Sequence, residues 1–369
     1  MKEQKKRKSW FWKILALLAL LGLVCSYLAT TTSPEKYVFF YVFGLSYPIW
    51  LVINLFSGGF LLLKGSRFGY LPLIAIAAGY GFLSDFIQIM PARTKEAVAE
   101  NTWKVMSYNV RLFDLYNWSR NTETRNKIFD LLKERDAEIY CFQEFYYTKR
   151  TGVFETRDTL FNILKCSYIH EHYTHKLTGE QYFGVVTYSR YPIVNKGHIT
   201  FNNDPNNFCI YSDIEIKGDT VRVFNTHLAS IRFQKEDYKF VEEGTESEQK
   251  IEGSKRILRR LTDAAKKRAG QADQIKLEIA NSPYPVIVCG DFNDTPVSYT
   301  YSSLSENLQD SFKKKGSGIG STYIGKFPSF RIDYILHSDR LETTAFKTLS
   351  EEYSDHRAIE AELRFSPSP

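Results

Sequence analysis

The sequence predicts one α/β domain built on a mixed sheet and preceded by three membrane-spanning helices. Three observations carry that expectation. Residues 1–92 hold three long uncharged apolar runs, residues 103–365 alternate short apolar stretches with amphipathic ones, and the turn KGD at 217–219 joins two of the short stretches as a hairpin. Of the 369 residues 43% are hydrophobic and 24% charged, which excludes a wholly disordered chain, a collagen-like repeat and a small disulfide scaffold.

The basic start KEQKKRK is followed by uncharged runs from Ile14 to Thr32, from Tyr37 to Leu63, and from Phe68 to Ser84, the last continuing past Asp85 to Ile89. A bilayer core needs about 20 mostly apolar helical residues. The expected spans are therefore about 12–32, 37–63 and 68–90 within a membrane region 1–92. The second contains Pro48 and Gly58-Gly59 and should tilt or bend. A cleaved signal peptide also begins with a basic segment and an apolar one. Here the small-x-small site is poor around Leu28-Ala29-Thr30, and Val24 stands where a lipidation signal before Cys25 wants a small residue. Orientation follows from Lys and Arg in short loops. The tail and the loop KGSR, with Lys64 and Arg67, are basic, whereas SPEK carries no net charge. That places the N-terminus inside a multi-pass cytoplasmic (inner) membrane and the C-terminal domain outside, in the periplasm of a Gram-negative cell. Asp85, near the outer end of the third run, should reach the interface.

After a polar linker at 93–102, residues 103–369 suit one large domain. Strands are expected at 103–110, 137–143, 182–189, 208–216, 220–226, 284–290 and 331–337, with a further one after Asp355-His356. Helices are expected at 122–135, 155–164 and over much of 246–281.

The formal net charge of +6 would invite a polyanionic partner. Residues 1–92, however, carry nine basic and three acidic side chains, and the remainder carries 39 of each. The excess belongs to the membrane region and does not favour nucleic acid over lipid. The segment KRILRRLTDAAKKR (255–268) has seven Lys/Arg in fourteen residues. It fits a basic helix gripping phosphates or anionic head groups, or a solvated helix face. The acidic stretch EDYKFVEEGTESE just before it supplies neutralisation and favours the solvated face.

Polar residues cluster where strands end, which is where α/β folds place their sites. They are Asn109 in SYNV, Glu144 in CFQE, His227 in NTHL, Asp291 and Asn293 in GDFN, Asp333 in RIDYIL, and Asp355-His356 in SDH. Singly, each is more readily a cap, a turn former or a paired core carboxylate. As a set they suit a hard divalent cation with oxygen ligands, a phosphate ester and a proton-passing imidazole.

This ordered set resembles the endonuclease/exonuclease/phosphatase superfamily, the DNase I-like fold, over about 103–365. FGVVTYSRYPIV and the STY at 321–323 match its secondary signatures. The resemblance implies a four-layered α/β sandwich and Mg²⁺-dependent hydrolysis of phosphodiesters by in-line attack of water, with Mn²⁺ a substitute metal. It implies Glu144 as principal metal ligand with Asn109 and Asp355 nearby, and Asp291 orienting or deprotonating the water. Asn293, Asn109 and His227 would hold phosphate oxygens, and His356, oriented by Asp333, would bind phosphate or act as acid/base; His227 also stands among the catalytic groups. His227 weakens an abasic-site repair reading. Nucleic acid and phospholipid both remain open as substrate, the bilayer is an expected partner through the N-terminal helices, and no protein partner is inferable. A catalytically silent membrane-bound binding module is the alternative.

In IHEHYTH, an extended segment would put His170 and His172 on one face and turn His175 away, which favours a substrate-facing rim over a zinc site. Cys141 and Cys289 should be buried thiols, which leaves Cys166 and Cys209 as candidates for a disulfide.

Overall fold

A computed structural model describes residues 2–89, 101–150, 152, 154–177, 180–202, 204–243, 247–325 and 329–366. The expected linker at 93–102 lies outside the described residues except for 101 and 102. The N-terminal part is α1 (Lys2–Leu28), α2 (Pro34–Leu45), α3 (Tyr47–Leu63), α4 (Tyr70–Ala78) and α5 (Tyr80–Phe86). Within α1, Trp10–Leu28 is long and apolar enough to cross a membrane. The second run reaches that measure only as a pair bent by 54°, α2 with α3, and the third as a pair bent by 61°, Arg67–Ala78 with α5.

The bend in the second run falls at Ser46, just ahead of Pro48, where the missing proline N–H suits the start of a new helix. The continuous helix expected over 68–90 is instead broken at Gly79. A Cβ there would stand 2.1 Å from the Tyr27 hydroxyl, so only glycine lets α1 approach so closely. Asp85 differs from expectation as well. It is buried, and its carboxylate pairs at 2.5 Å with Lys313 of the C-terminal domain instead of facing an interface.

The C-terminal domain runs β1 (Trp103–Asn109), α6 (Thr124–Arg135), β2 (Ile139–Thr148), α7 (Thr156–Ile163), β3 (Tyr168–Leu177), β4 (Gln181–Ser189), β5 (Ile193–Thr200), β6 (Phe208–Ile216), β7 (Asp219–His227), α8 (Lys235–Glu243), α9 (Ser247–Ala280), β8 (Val286–Asp291), α10 (Tyr299–Leu304), β9 (Gln309–Asp310), α11 (Ser311–Lys315), β10 (Asp333–His337), β11 (Leu341–Thr348) and β12 (Ile359–Phe365). Two six-stranded sheets form, ordered β11-β12-β1-β2-β4-β3 and β5-β6-β7-β8-β10-β9. Each is mixed: β1–β2 and β7–β8 are parallel, and the other pairs are antiparallel.

Alternating side chains of the inner strands make the core between the sheets, with Trp103, Val105, Ile139 and Cys141 against Val221, Val223, Ile287 and Ile335. The outer face of the first sheet packs on α6 and α7 through Ile128, Leu132 and Leu160. The outer face of the second packs on α9 and α10 through Ala272, Ile275 and Leu304. The result is helix, sheet, sheet, helix: the four layers expected.

Gly290 shows how tightly β7 and β8 approach. Its φ is +139° and an added Cβ would lie 2.0 Å from the Thr226 carbonyl oxygen, so any side chain must part the strands. Gly290→Ala should destabilise the domain by about 3 kcal/mol or more and lower its melting temperature by roughly 6–12 °C, which a thermal scan with and without the substitution checks.

β3, β5, β9 and β11 go beyond the strands anticipated. All five cysteines are free, so no disulfide joins Cys166 and Cys209. His170 and His172 do share the inward side of β3: His170 Nδ1 bonds Ser212 Oγ at 2.9 Å, and the His172 ring stacks on His198 at 4.4 Å. The His175 side chain lies outside the described residues.

Candidate active site

Strand register brings the motif residues together. Parallel pairing sets Asn109 beside Gln143 and His227 beside Asp291, and antiparallel pairing sets Asp333 across from Asp291. Glu144 needs a further device. The register between β2 and β4 slips between Phe142 and Phe145, and Glu144 sits at φ +48°, outside the strand conformation. This bulge turns Gln143 into the core and leaves Glu144 facing His227 with a side chain 34% exposed. Holding a glutamate in the left-handed region costs about 1 kcal/mol, and such outliers gather at functional sites.

At the centre, Asp291 Oδ2 accepts from Asn109 Nδ2 at 3.0 Å and from Asn293 Nδ2 at 3.2 Å, and Oδ1 accepts from the Asn293 backbone N–H at 2.8 Å. Asn293, itself at φ +54°, also donates to the Leu228 carbonyl at 3.0 Å, which ties the turn after β8 to the end of β7. His356 Nδ1 lies 2.9 Å from Asp333 Oδ2, an arrangement that assigns Nδ1 as the donor and presents Nε2 to the site. Nε2 of His356 and Nε2 of His227 each stand 3.7 Å from Asp291 Oδ2, and His227 Nε2 is also 3.7 Å from Glu144 Oε1. The His227 nitrogen is buried without a hydrogen-bond partner, a costly state that a bound ligand would relieve.

Electrostatics separate these groups. Burial alone would lower the His356 imidazole, but the Asp333 and Asp291 carboxylates override it and hold His356 well above its ordinary range, as an imidazolium. Burial lowers His227, against the pull of Asp291, so the two histidines differ in charge. Asp291 is raised, mainly by burial. Glu144 is pushed up to about 7 by burial and then by the neighbouring Asp355 carboxylate.

Asp355 pairs with Arg111 Nε at 3.2 Å, whereas Glu144 has no Lys or Arg partner among the described residues and feels the His356 imidazolium instead. Two carboxylates repelling each other, with Asn109 beside them, form an oxygen donor set that fits a divalent cation; the Asn109 Oδ1 accepts from the Arg111 backbone N–H at 3.1 Å and keeps its second lone pair. A separate group, Asp291, Asp333 and His356, also brings ligand atoms within 4.8 Å of one another. Its internal ion pair already balances much of its charge.

All eight residues singled out from sequence thus lie at one end of the sandwich. Several supports were missed although they stand inside the same motifs or, for Arg111, directly after one. Asn225 donates to the Phe142 and Val186 carbonyls and accepts from Gln143, which locks the two sheets beneath Glu144. Thr322 Oγ1 accepts from the backbone of both Ile332 and Asp333. Ser354 Oγ bonds the Asn109 carbonyl at 2.8 Å. Arg111 carries Trp118 over its guanidinium at 4.6 Å.

A sequence profile of the Endonuclease/Exonuclease/phosphatase family matches residues 106–356, and the chain belongs to that family. Members are phosphoesterases and nucleases, hydrolases acting on phosphoester bonds, and the two-sheet sandwich fits their DNase I-like fold. The family typically depends on a divalent metal. Residues 8–86 match a domain family of unknown function. No curated protein matches the chain. Among solved structures, a family protein from Bacteroides thetaiotaomicron is similar at 18% identity and TM-score 0.53, covering 72% of this chain and 98% of that one. The human Nocturnin catalytic domain with bound sulfate anion is similar at 19% identity and TM-score 0.52, covering 76% and 100%. An endonuclease/exonuclease/phosphatase from Beutenbergia cavernae is similar at 15% identity and TM-score 0.51, covering 72% of each chain. At these identities the likeness is one of fold.

Proposed function

We propose that this chain is a membrane-anchored, divalent-cation-dependent phosphodiesterase, with Mg²⁺ the metal and Mn²⁺ a substitute. The observation that carries the reading is the orphaned His227 Nε2 facing the same carboxylate oxygen as the His356 imidazolium, with Glu144 Oε1 also 3.7 Å from it. Glu144, Asp355 and the Asn109 oxygen would hold the cation. When bound, the cation neutralises charge developing on phosphate oxygens. Asp291, fixed by three amide N–H donors, orients water in line with phosphorus and takes its proton at the carboxylate, while the P–O ester bond opposite the water breaks and the departing oxygen is protonated from solvent. His356 donates Nε2–H to a phosphate oxygen, with Asp333 holding the ring in place. His227 and Asn293 supply further contacts to the phosphate.

The bent helical pairs and α1 support three membrane segments, and the basic loops support an N-terminus inside with the catalytic domain outside. The substrate is a phosphodiester, nucleic acid or phospholipid. Full-length protein in nanodiscs, assayed with Mg²⁺ or EDTA on plasmid DNA, RNA, phospholipid and bis(4-nitrophenyl) phosphate, tests the reading. Chelator-sensitive turnover of at least one is expected, and turnover of none would favour the binding-module alternative.

The raised Glu144 carboxyl gives a pH signature. Cation binding needs Glu144 ionised, so apparent affinity should fall as pH drops through about 7 and level off above it. Calorimetry in buffers of different ionisation heat should find about one proton released per Mg²⁺ at pH 6 and almost none at pH 8.

A further inference from the structure

The basic segment 255–268 is not one solvated face. Lys255, Arg259 and Lys266 are solvated, but Arg256 and Arg260 reach buried Asp237 at 2.7 and 2.9 Å, and Arg268 is 0% exposed. Burying a guanidinium is expensive unless every partner is present. Arg268 has three: Nε to Asp294 Oδ2 at 3.1 Å, Nη1 to the Ala229 carbonyl at 3.0 Å, and Nη2 to the Tyr41 hydroxyl at 2.9 Å. Asp294 follows Asn293 in the turn after β8, and Ala229 lies two residues past His227. Tyr41 is on α2, in the N-terminal helical region.

The same helix meets that turn again at Gly44, where an added Cβ would lie 2.4 Å from the Val297 carbonyl oxygen. A second strut runs from Arg331, two residues before Asp333. Its Nη2 donates to the Asp85 carbonyl at 2.7 Å and its Nη1 to Asp310 at 2.7 Å. The N-terminal helices therefore press directly on the loops flanking His227, Asp291, Asn293 and Asp333.

We propose that Arg268 and Tyr41 are a positioning pair through which the N-terminal helices hold the two loops of the catalytic centre in register. Neither touches substrate. Arg268 acts through Asp294 and Ala229, and Tyr41 supplies the hydroxyl that fixes its third nitrogen. The kinetic part of this inference rests on the hydrolase reading, and the structural part does not.

Tyr41→Phe in full-length protein in nanodiscs removes one oxygen and keeps the ring. With bis(4-nitrophenyl) phosphate, kcat should fall about tenfold with KM unchanged, because small misplacements of catalytic groups act on turnover. Hydrogen exchange at the Leu228, Asn293 and Thr295 amides should quicken about tenfold. Tyr37→Phe, an exposed position on the same helix, should change neither. Unchanged exchange in Tyr41→Phe overturns the proposal, as does quickened exchange with full kcat. An inactive wild type whose Tyr41→Phe variant still exchanges faster would sink the hydrolase reading and leave the positioning link standing.

Discussion

His356→Ala should leave a folded protein whose turnover is lower by about 10²–10³-fold, the usual cost of removing one charge-stabilising donor. The expectation comes from the position of His356 between two buried carboxylates, Asp333 at 2.9 Å and Asp291 at 3.7 Å. The loss should fall on kcat, because His356 Nε2 stands 3.7 Å from Asp291, where it would meet the phosphate and not the cation. Stability should drop too, by about 3 kcal/mol, since the carboxylates lose their buried counter-charge. The sign with pH is set by the raised folded-state pKa. The stabilisation is fully present below about 6.5, and is lost as pH rises through the much higher folded value. The deficit of the variant should therefore be greatest near neutral and acidic pH and shrink in alkali. His356→Asn, which keeps a donor toward Asp333 but not the charge, should recover part of the stability and none of the turnover. Equal recovery of both would argue that the ring serves packing alone.

Glu144→Gln should have the other large effect, with a different signature. The substitution keeps shape and removes the charge that would hold the cation, so activity at 1 mM-scale Mg²⁺ should fall on the order of 10³-fold and return in part as Mg²⁺ is raised. The metal-free protein should be as stable as wild type or more so, because burial and Asp355 both oppose ionisation of Glu144. The proton release near pH 6 should disappear. A variant with unchanged Mg²⁺ dependence would remove Glu144 from the metal site.

Much of this arrangement was legible because strand ends and motif residues coincide. The short apolar-rich run FCIYSDIEI forms β6 over Phe208–Ile216, and KGD closes its hairpin with Lys217 at φ +55° and Gly218 at φ +95°. Asp291 and Asn293 follow the apolar run VIVC, so their place beyond a buried strand end could be read directly. The strands that escaped notice are β5, with exposed Val194, Asn195 and Lys196 on a sheet edge, the two-residue β9 at the opposite edge of that sheet, β3 at the edge of the other sheet, and β11, where a bulge interrupts the pattern between Thr343 and Ala345. Nor could periodicity reveal the bulge that exposes Glu144, since it arises from pairing with β4.

The docking of α2 was hidden for a different reason. Tyr41 and Arg268 are 227 positions apart, and each is unremarkable where it stands, a tyrosine in an apolar run and an arginine in a basic one. Only tertiary packing makes a pair of them. Asp85 was misjudged likewise, because its partner Lys313 comes from the other end of the chain.

The central claim is that water, oriented by Asp291, attacks phosphorus. The measurement that tests it most directly is hydrolysis of bis(4-nitrophenyl) phosphate by the full-length protein in ¹⁸O-labelled water with Mg²⁺. The account predicts that the label enters the phosphoryl product and that EDTA abolishes the reaction. Label in the released phenol, or turnover indifferent to EDTA, would contradict it.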